Sequence, residues 1–358
     1  MFKMLQTLQK LIEFTPSTSD PHAITKLLDY AEGRLALKGM VVERIEHNGI
    51  PSLYAHTLGQ KHAKVMLQAH VDVVPGGNKF GIHGDKIHGR GCYDMLFAVA
   101  SFLHIIDNLG ALDDYDLSIL LTGDEEIGGA NGTQAILDTT YYSCDVCVLP
   151  DAGEGLGTLS VAAKGLYNIK IRVNGVSHHG SRPWEGDGAA SKLVAFLSEL
   201  SGVFDTTSQD HSTFVVSQLQ AGSTALNQGP AEAYAGIDIR YKDSADFELI
   251  QQTLNRLTKK YSVDILYESV GRNFELNTEA PLVKDFIKLY ESHMGVPIEL
   301  VKAHGSSDAR YFDDKGMPVI MLRPAGGNAH GDDEWLSYES WKKFHTILEH
   351  YVLQTSRV

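Results

Sequence analysis

The chain has 358 residues, more than one domain usually contains, and 43% of them are hydrophobic, which is enough for a substantial core. This composition excludes a disordered or fibrous protein. The formal net charge of -14 at pH 7 argues against a nucleic-acid partner, because the phosphate backbone would repel the protein.

The N-terminal segment and the cysteine content indicate the compartment. Residues 1–14 have helical periodicity with polar residues interleaved, unlike the unbroken apolar region of a secretory signal, and no apolar run is long enough to span a membrane. Only Cys92, Cys144 and Cys147 occur, too few for a disulfide framework. The Cys144-x-x-Cys147 spacing is compatible with redox chemistry or half of a zinc site, but its apolar surroundings favour a buried strand. We expect a cytoplasmic protein without a membrane partner.

The first part of the chain alternates helical segments with short apolar strands. The predicted elements are, in chain order, a helix over 21–37, a strand over 65–69, a helix over 95–109, and strands over 117–121 and 146–149. The helix over 95–109 begins with a segment that is apolar on all sides, so we expect it to be buried. The alternation predicts an α/β domain whose sheet is covered on both faces.

A different order of elements begins near Lys164. The pattern predicts a strand over 166–175, a helix over 189–200, strands over 212–222 and 231–242, a helix over 245–261 and a strand over 263–270. This β-α-β-β-α-β order is typical of a ferredoxin-like unit. The α/β character then returns with a helix over 281–293, a strand over 318–323 and a helix over 340–353. We predict an α/β domain formed by 1–163 and 274–358 and interrupted by a domain inserted at 164–273.

Polar side chains follow several of the predicted strands and turns, where ligands bind in open α/β sheets. These candidates are His70, Asp72, Asp94, Asp124, Glu125, Glu126, Asp151 and His330. Each has a structural alternative: Asp94 could cap a helix, the glutamates could lie at a helix start, and His70 could be a buried structural histidine. Together they would bring two imidazoles and several carboxylates to one sheet edge, where a divalent cation would offset the repulsion.

The spacing within these motifs indicates individual roles. Residues i and i+2 of a strand face the same side, so Asp72 can orient the imidazole of His70. Of the adjacent Glu125 and Glu126, only one needs to bind metal. The other can then deprotonate a metal-activated water and pass the proton to a leaving amine.

The ordered motifs resemble a known enzyme family over nearly the whole chain. They are HVDVVP, GRGCYDM, GDEEIGG, LPDAGE, GVSHHGSRP, GSSDAR and AGGNAHGDDEW. The set resembles the co-catalytic zinc metallopeptidase family of acetylornithine deacetylase, succinyl-diaminopimelate desuccinylase, aminoacylases, glutamate carboxypeptidase, peptidase T and cytosolic dipeptidases. The resemblance implies a di-zinc peptidase-like α/β catalytic domain, with 164–273 as a ferredoxin-like lid and dimerisation domain.

The resemblance also implies a set of metal ligands. Asp94 would bridge two zinc ions, with His70 and Asp151 completing one site and Glu126 and His330 completing the other. Cobalt or manganese could replace zinc in such a set of ligands.

Further roles follow from the same resemblance. Glu125 matches the general base. His179 matches a histidine that enters the active site of a partner subunit and polarises the scissile carbonyl, although the neighbouring His178 is an alternative. Asn227 and Arg240 match substrate-contacting positions, but a turn asparagine and a surface arginine explain them equally well.

Two departures from the family pattern bear on the substrate. Relatives usually have Ala-Ala-Asp-Met-Lys-Gly around the bridging aspartate, whereas this chain has CYDMLF over 92–97, which alters the pocket wall but no ligand. Asp151 is an aspartate, as in the aminopeptidase and dipeptidase members. We therefore expect a hydrolase acting on small peptides, a dipeptidase or aminopeptidase. We also expect a homodimer, because His179 would act from a partner subunit. An N-acyl amino-acid deacylase is the main alternative, and a non-catalytic binding protein with this fold is a minor one.

Overall fold

A computed structural model of the chain describes residues 2–205, 207–222, 225–303 and 305–358. The chain divides into two compact units. The first comprises Met1–Val161, Glu275–Ala303 and Ser307–Val358, and the second comprises Ala162–Phe274 and His304–Ser306. No helix in the described ranges is both long and apolar enough to cross a lipid bilayer.

The helices and strands are labelled in chain order. The helices are α1 (Phe2–Glu13), α2 (Pro21–Lys38), α3 (Leu96–Asn108), α4 (Ala135–Thr140), α5 (Ala189–Ser201), α6 (Ser244–Tyr261), α7 (Pro281–Met294), α8 (Ala309–Asp313) and α9 (Tyr338–Thr355). The strands are β1 (Val41–His47), β2 (Ile50–His56), β3 (His62–His70), β4 (Gly81–His83), β5 (Lys86–His88), β6 (Leu117–Thr122), β7 (Ser143–Val148), β8 (Thr158–Ala163), β9 (Gly165–Asn174), β10 (His178–His179), β11 (Thr213–Ala221), β12 (Gln228–Gly229), β13 (Glu232–Tyr241), β14 (Val263–Gly271), β15 (Phe274–Glu275), β16 (Glu299–Ala303), β17 (Val319–Ile320), β18 (Gly326–Gly327) and β19 (Trp335–Ser337).

The first unit is built on a six-stranded mixed sheet with the order β1-β2-β6-β3-β7-β17. Strands β6, β3, β7 and β17 are parallel to one another. Strand β2 is antiparallel to β6, and β1 is antiparallel to β2. The central strands β3 and β6 are buried along most of their length, as their continuous apolar sequences predict for strands covered on both faces. The parallel strands therefore end at a common edge of a rigid, buried sheet.

Helix α3 confirms the prediction of a buried helix after the CYD motif. Nearly every residue from Leu96 to Ile106 is buried, and the helix contacts α1, α2, α9 and β3. Trp341 of α9 donates a hydrogen bond of 2.8 Å from Nε1 to the Oγ of Ser101 on α3, and both residues are fully buried. The apolar helix that follows Asp94 is thus fixed from several sides.

The features of the first unit that differ from the sequence predictions include its first hairpin and the length of β17. The β1–β2 hairpin was not predicted, although Asn48 and Gly49 join it with φ values of 49° and 80°, as a type I′ turn requires. The strand predicted over 318–323 extends only over Val319–Ile320. It is shorter because Met321 forms an antiparallel bridge with Ser160 instead of continuing along β7.

The second unit contains a four-stranded antiparallel sheet with the order β11-β13-β9-β14. Helices α5 and α6 pack on one face, so the predicted β-α-β-β-α-β order is confirmed. The core between helices and sheet includes Ile169, Ile171, Phe196 and Leu254. Most side chains of the edge strands β11 and β14 are exposed.

Burial of the central strand gives a prediction about stability. Leu67 of β3 is fully buried and pairs with Ile119 and Val148 on the two neighbouring strands. We expect Leu67→Ala to lower the free energy of unfolding by about 2–5 kcal/mol, because apolar contacts are lost and a cavity remains. Chemical denaturation measures the change. Leu37→Ala serves as the control, because Leu37 is 90% exposed on α2; equal losses in the two variants would contradict the structure.

Candidate metal centre

Two groups of histidine and carboxylate side chains in the first unit share one residue. His70, Asp94 and Asp151 form one group, and Asp94, Glu126 and His330 form the other. Within each group, one potential ligand atom per residue lies within 4.8 Å of the others. The structure therefore brings together all five side chains that the sequence predicted as metal ligands.

The sheet topology explains why these side chains meet. His70 is the last residue of β3, Glu126 follows β6, Asp151 follows β7, and His330 lies in the loops after β17. These four strands are parallel neighbours, so their carboxyl ends point to the same edge of the sheet. Asp94 reaches this edge from the turn before α3.

Asp94 lies at the centre of the cluster. Its Oδ1 is 3.2 Å from Nε2 of His70, and its Oδ2 is 3.2 Å from Nε2 of His330. The outer ligands are also close, since Nε2 of His70 is 3.8 Å from Oδ1 of Asp151 and Nε2 of His330 is 2.9 Å from Oε2 of Glu126. The two oxygens of Asp94 face different imidazoles, which is the arrangement of a carboxylate that serves two ion sites.

Burial and mutual repulsion change the acidity of these carboxylates. Burial, reinforced by the charge of Asp94, raises the pKa of Glu126 to about 7. Burial also raises the pKa of Glu125 well above its usual value, and the charge of Asp151 adds to the effect. Burial alone would raise the pKa of Asp94, but the imidazoles of His330 and His70 lower it below its usual value. Positive charge on these imidazoles thus stabilises the ionised form of Asp94.

The residues present fit a pair of divalent metal ions. Imidazole nitrogens and carboxylate oxygens are the donors that zinc, cobalt and manganese accept. Within the described ranges Oε1 of Glu126 is buried without a hydrogen-bond partner, so it has the unsatisfied lone pairs of a potential ligand. A cation at this point would satisfy that oxygen and offset the repulsion among the carboxylates.

Asp72 positions both the histidine and the glutamates. Its buried carboxylate accepts hydrogen bonds from the backbone N–H of Glu125 at 3.1 Å and of Glu126 at 3.3 Å, and from Oγ1 of Thr18 at 2.8 Å. Nδ1 of His70 lies 2.9 Å from the main-chain oxygen of Asp72 and 3.6 Å from its carboxylate. The ring therefore contacts chiefly the carbonyl of Asp72, while the carboxylate fixes the turn that carries the two glutamates.

Glu334 is a site residue to which the sequence analysis gave no role. Its fully desolvated carboxylate accepts hydrogen bonds from the backbone N–H groups of Gly91, Tyr93 and Asp94, at 3.0, 2.8 and 3.0 Å. Nη1 of Arg90 donates a fourth hydrogen bond, of 2.8 Å. Glu334 thus holds the turn that presents Asp94. The motif HGDDEW contained the signal, but three consecutive acidic residues gave no means of choosing among them.

Arg90 joins this turn to the most exposed ligand. Its Nη2 donates a hydrogen bond of 3.0 Å to the carbonyl of His330, whose own φ of 66° is in the left-handed region. Since that conformation is unfavourable for a non-glycine residue, the hydrogen bond helps to hold His330 in place. Asp94 and His330 are therefore coupled through Glu334 and Arg90.

The second unit contains the other predicted site residues. His179 is exposed, with its Nδ1 at 2.8 Å from Oγ of Ser181 and its Nε2 at 3.2 Å from Nδ2 of Asn227. His178 is more buried, and its ring fills the space beside Gly229, where a Cβ atom would lie 2.4 Å from it. His179 is therefore the more accessible of the two histidines, and it lies next to Asn227.

Arg240 forms an ion pair within its own strand. On β13, its Nε donates to Oδ1 of Asp238 at 2.9 Å, and its Nη2 donates to Oδ2 at 3.1 Å. A bidentate pair of this kind satisfies most of the guanidinium edge that a substrate carboxylate would use. The role of Arg240 in substrate binding stays a prediction.

The hydrogen bonds of Glu334 lead to a prediction about metal affinity. We expect Glu334→Gln to weaken Zn²⁺ binding by about 10- to 100-fold, because a carboxamide has one acceptor oxygen in place of two and the turn bearing Asp94 loosens. Competition with a chelator of known affinity measures the change. Glu339→Gln, at an exposed position of α9, is the control. Identical zinc affinities in the two variants would show that Glu334 does not support the ligands.

Comparison with known proteins agrees with this geometry. The sequence model of peptidase family M20/M25/M40 matches residues 66–354. The chain is 27% identical to succinyl-diaminopimelate desuccinylase of Rickettsia felis over 332 residues, covering 85% of this chain and 86% of that protein. It is 28% identical to the enzyme of the same name from Dinoroseobacter shibae over 334 residues, covering 86% and 88%.

Solved structures show the same fold. A tripeptidase from Staphylococcus aureus superposes with a TM-score of 0.81 at 18% identity, covering 99% of this chain and 98% of that one. A metallo-carboxypeptidase from Sulfolobus solfataricus superposes with a TM-score of 0.78 at 18% identity, covering 98% and 99%. The family model spans most of the chain, and it confirms the resemblance found in the sequence motifs. This chain belongs to peptidase family M20/M25/M40.

Proposed function

We propose that the chain is a two-metal hydrolase that cleaves peptide or amide bonds in small amino-acid-like substrates, with dipeptidase or aminopeptidase activity favoured. The observation that carries the proposal is the sharing of Asp94 between two groups of ligands. His70 and Asp151 would complete one zinc site, and Glu126 and His330 the other. When bound, the two ions would activate a water molecule and polarise the scissile carbonyl.

Glu125 would act as the general base in this reaction. Asp72 fixes the backbone of Glu125. The carboxylate of Glu125 lies close enough to Asp151 and Asp94 to be affected by their charges. It would take a proton from the attacking water as the water oxygen bonds to the carbonyl carbon. It would then deliver that proton to the nitrogen as the carbon–nitrogen bond breaks.

His179 would bind the oxygen of the same carbonyl from a partner subunit, with Asn227 beside it. The support is its exposure and its contacts with Ser181 and Asn227, which limit the orientation of the ring. Residues 164–273 would then form an inserted domain that acts as a lid and as the dimerisation surface.

Exposed apolar side chains on the edge strands of the second unit support a dimer. Val215 and Leu219 on β11, together with Leu266 and Tyr267 on β14, are each more than half exposed. Apolar side chains on edge strands are a frequent feature of surfaces that pair with another chain. We therefore propose a homodimer, and a cytoplasmic location in keeping with the sequence expectations.

The alternative function is an N-acyl amino-acid deacylase. The observation that favours it is the similarity to proteins named succinyl-diaminopimelate desuccinylase. A zinc-loaded sample assayed with a free-amino dipeptide and with N-acetyl and N-succinyl amino acids separates the two activities by their kcat/KM values. If the protein turns over none of these substrates, the alternative of a non-catalytic binding protein is favoured.

The role of Glu125 can be tested directly. We expect Glu125→Gln to lower kcat by roughly 10²- to 10⁴-fold, because the amide cannot accept the proton of the attacking water. Metal content, measured on the same sample, should not change, since Glu125 is not among the proposed ligands. Glu291→Gln, at an exposed position of α7, is the matched control. Unchanged turnover in Glu125→Gln would refute the assignment.

The contribution of a partner subunit can be tested by mixing variants. His179→Ala and Glu125→Gln should each be inactive alone, and joint refolding should restore about a quarter of wild-type activity. Recovery is expected because half of the dimers are mixed, and in these one of two sites combines an intact Glu125 with an intact His179 of the other chain. Mixing Glu125→Gln with Glu126→Ala is the control, since both changes affect the same site. No recovery in the first mixture would place His179 in its own subunit's site.

A further inference from the structure

Arg323 lies against the main chain at one of the proposed metal ligands. It follows β17, the strand next to β7, and β7 leads to Asp151. Its Nε donates a hydrogen bond of 2.9 Å to the carbonyl of Gly153, and its Nη1 lies 3.5 Å from the carbonyl oxygen of Asp151. The guanidinium group is therefore held at the carboxyl edge of the sheet, where the family's ligands converge.

Tyr93 fixes the guanidinium group from another side. Cζ of Arg323 lies 4.3 Å from the centroid of the Tyr93 ring, within the range of a cation–π interaction. The ring is almost fully buried and directly precedes Asp94 in sequence. It occupies space that Gly326 leaves open, since a Cβ atom there would lie 2.2 Å from the ring.

Arg323 has no carboxylate partner in the described part of the protein. No ion pair within 4.0 Å joins it to a described carboxylate, and its side-chain contacts are with the ring of Tyr93 and with two main-chain carbonyls. Its charge reaches Asp94, but both oxygens of Asp94 already face imidazoles. By contrast, Arg90 is paired with Glu334 and Arg240 is paired with Asp238.

A half-buried guanidinium group without a counter-ion is a binding group for an anion. Removing it from water is costly unless a negative partner supplies charge-assisted hydrogen bonds. Its planar geometry suits a carboxylate, and stacking on Tyr93 reduces the rotamer freedom that binding would otherwise remove.

We propose that Arg323 is a specificity residue that receives a free carboxylate of the substrate. The inference rests on the proposed function and names the residue that would distinguish a carboxylate from a carboxamide on the substrate. Asp238 already occupies one edge of the guanidinium group of Arg240, whereas no described carboxylate occupies that of Arg323.

The test compares substrates that differ only by a carboxylate or a carboxamide. The pairs are glutamyl-alanine and glutaminyl-alanine, N-succinyl-alanine and N-succinamoyl-alanine, and alanyl-alanine and its C-terminal amide. In Arg323→Gln the acid-to-amide ratio of kcat/KM should fall by roughly 10- to 100-fold for at least one pair, as expected for the loss of a charged hydrogen bond. Arg323→Lys should restore part of the ratio, because the charge remains.

Arg44→Gln is the matched control, since Arg44 pairs with Asp29 and Glu32 away from the ligand cluster and is not part of the proposed site. This variant should keep the wild-type ratio for every pair. Ratios in Arg323→Gln that stay within about twofold of wild type for every pair that the enzyme cleaves would overturn the proposal.

A binding experiment separates failure of this inference from failure of the proposed function. Calorimetric titration of the zinc-loaded protein with glutarate and with its monoamide requires no turnover. Weaker binding of glutarate to Arg323→Gln, with binding of the monoamide unchanged, supports the inference. Equal binding of glutarate by the wild type and Arg323→Gln overturns it. If the wild type cleaves none of the substrate pairs, the proposed function fails and the titration alone decides the role of Arg323.

Discussion

The carboxylate of Glu334 and the turn it holds support the whole candidate site. Three backbone N–H groups and Arg90 donate to this one buried side chain, and the turn they define presents Asp94. Because Asp94 is common to both ligand groups, a shift of this turn would disturb both at once. Arg90 extends the same network to the carbonyl of His330. The arrangement of the five ligands thus depends on hydrogen bonds to the main chain of Asp94 and His330, and these hydrogen bonds involve no ligand side chain.

The sheet supplies the second constraint. Parallel strands β6, β3, β7 and β17 end at one edge of the sheet. The short segment after each strand can therefore bring one ligand to this edge, although these segments are far apart in sequence. The buried helix α3 begins at the same edge and fixes the remaining ligand, Asp94. The concentrated negative charge at this edge is a consequence of the topology. Burial, together with this charge, raises the pKa of Glu126, and the charge creates the demand for positive charge that metal ions would meet.

Three arginines of the molecule illustrate how the same side chain serves different purposes. Arg90 is buried and bound to Glu334, so it supports the ligands. Arg240 is paired with Asp238 on its own strand. Arg323 is held by main-chain carbonyls and by the ring of Tyr93, which leaves its charge without a carboxylate partner among the residues described. These three arginines are equivalent in sequence, and only their surroundings distinguish them.

Local patterns in the sequence determined the α/β core, the β-α-β-β-α-β unit and the candidate polar residues after strands, because strand periodicity and the residues that follow a strand are properties of neighbouring positions. The choice of five ligands among those candidates came from the resemblance to a known family. The Asn48-Gly49 turn was equally local, and its hairpin could have been predicted. The tertiary structure alone decided the rest. It singled out Glu334 among three adjacent acids, ended β17 after two residues, and paired Arg240 with Asp238 while placing no described carboxylate against Arg323. These outcomes depend on which distant segments meet, and hydrogen-bond partners from separate parts of the chain are fixed only when the chain folds.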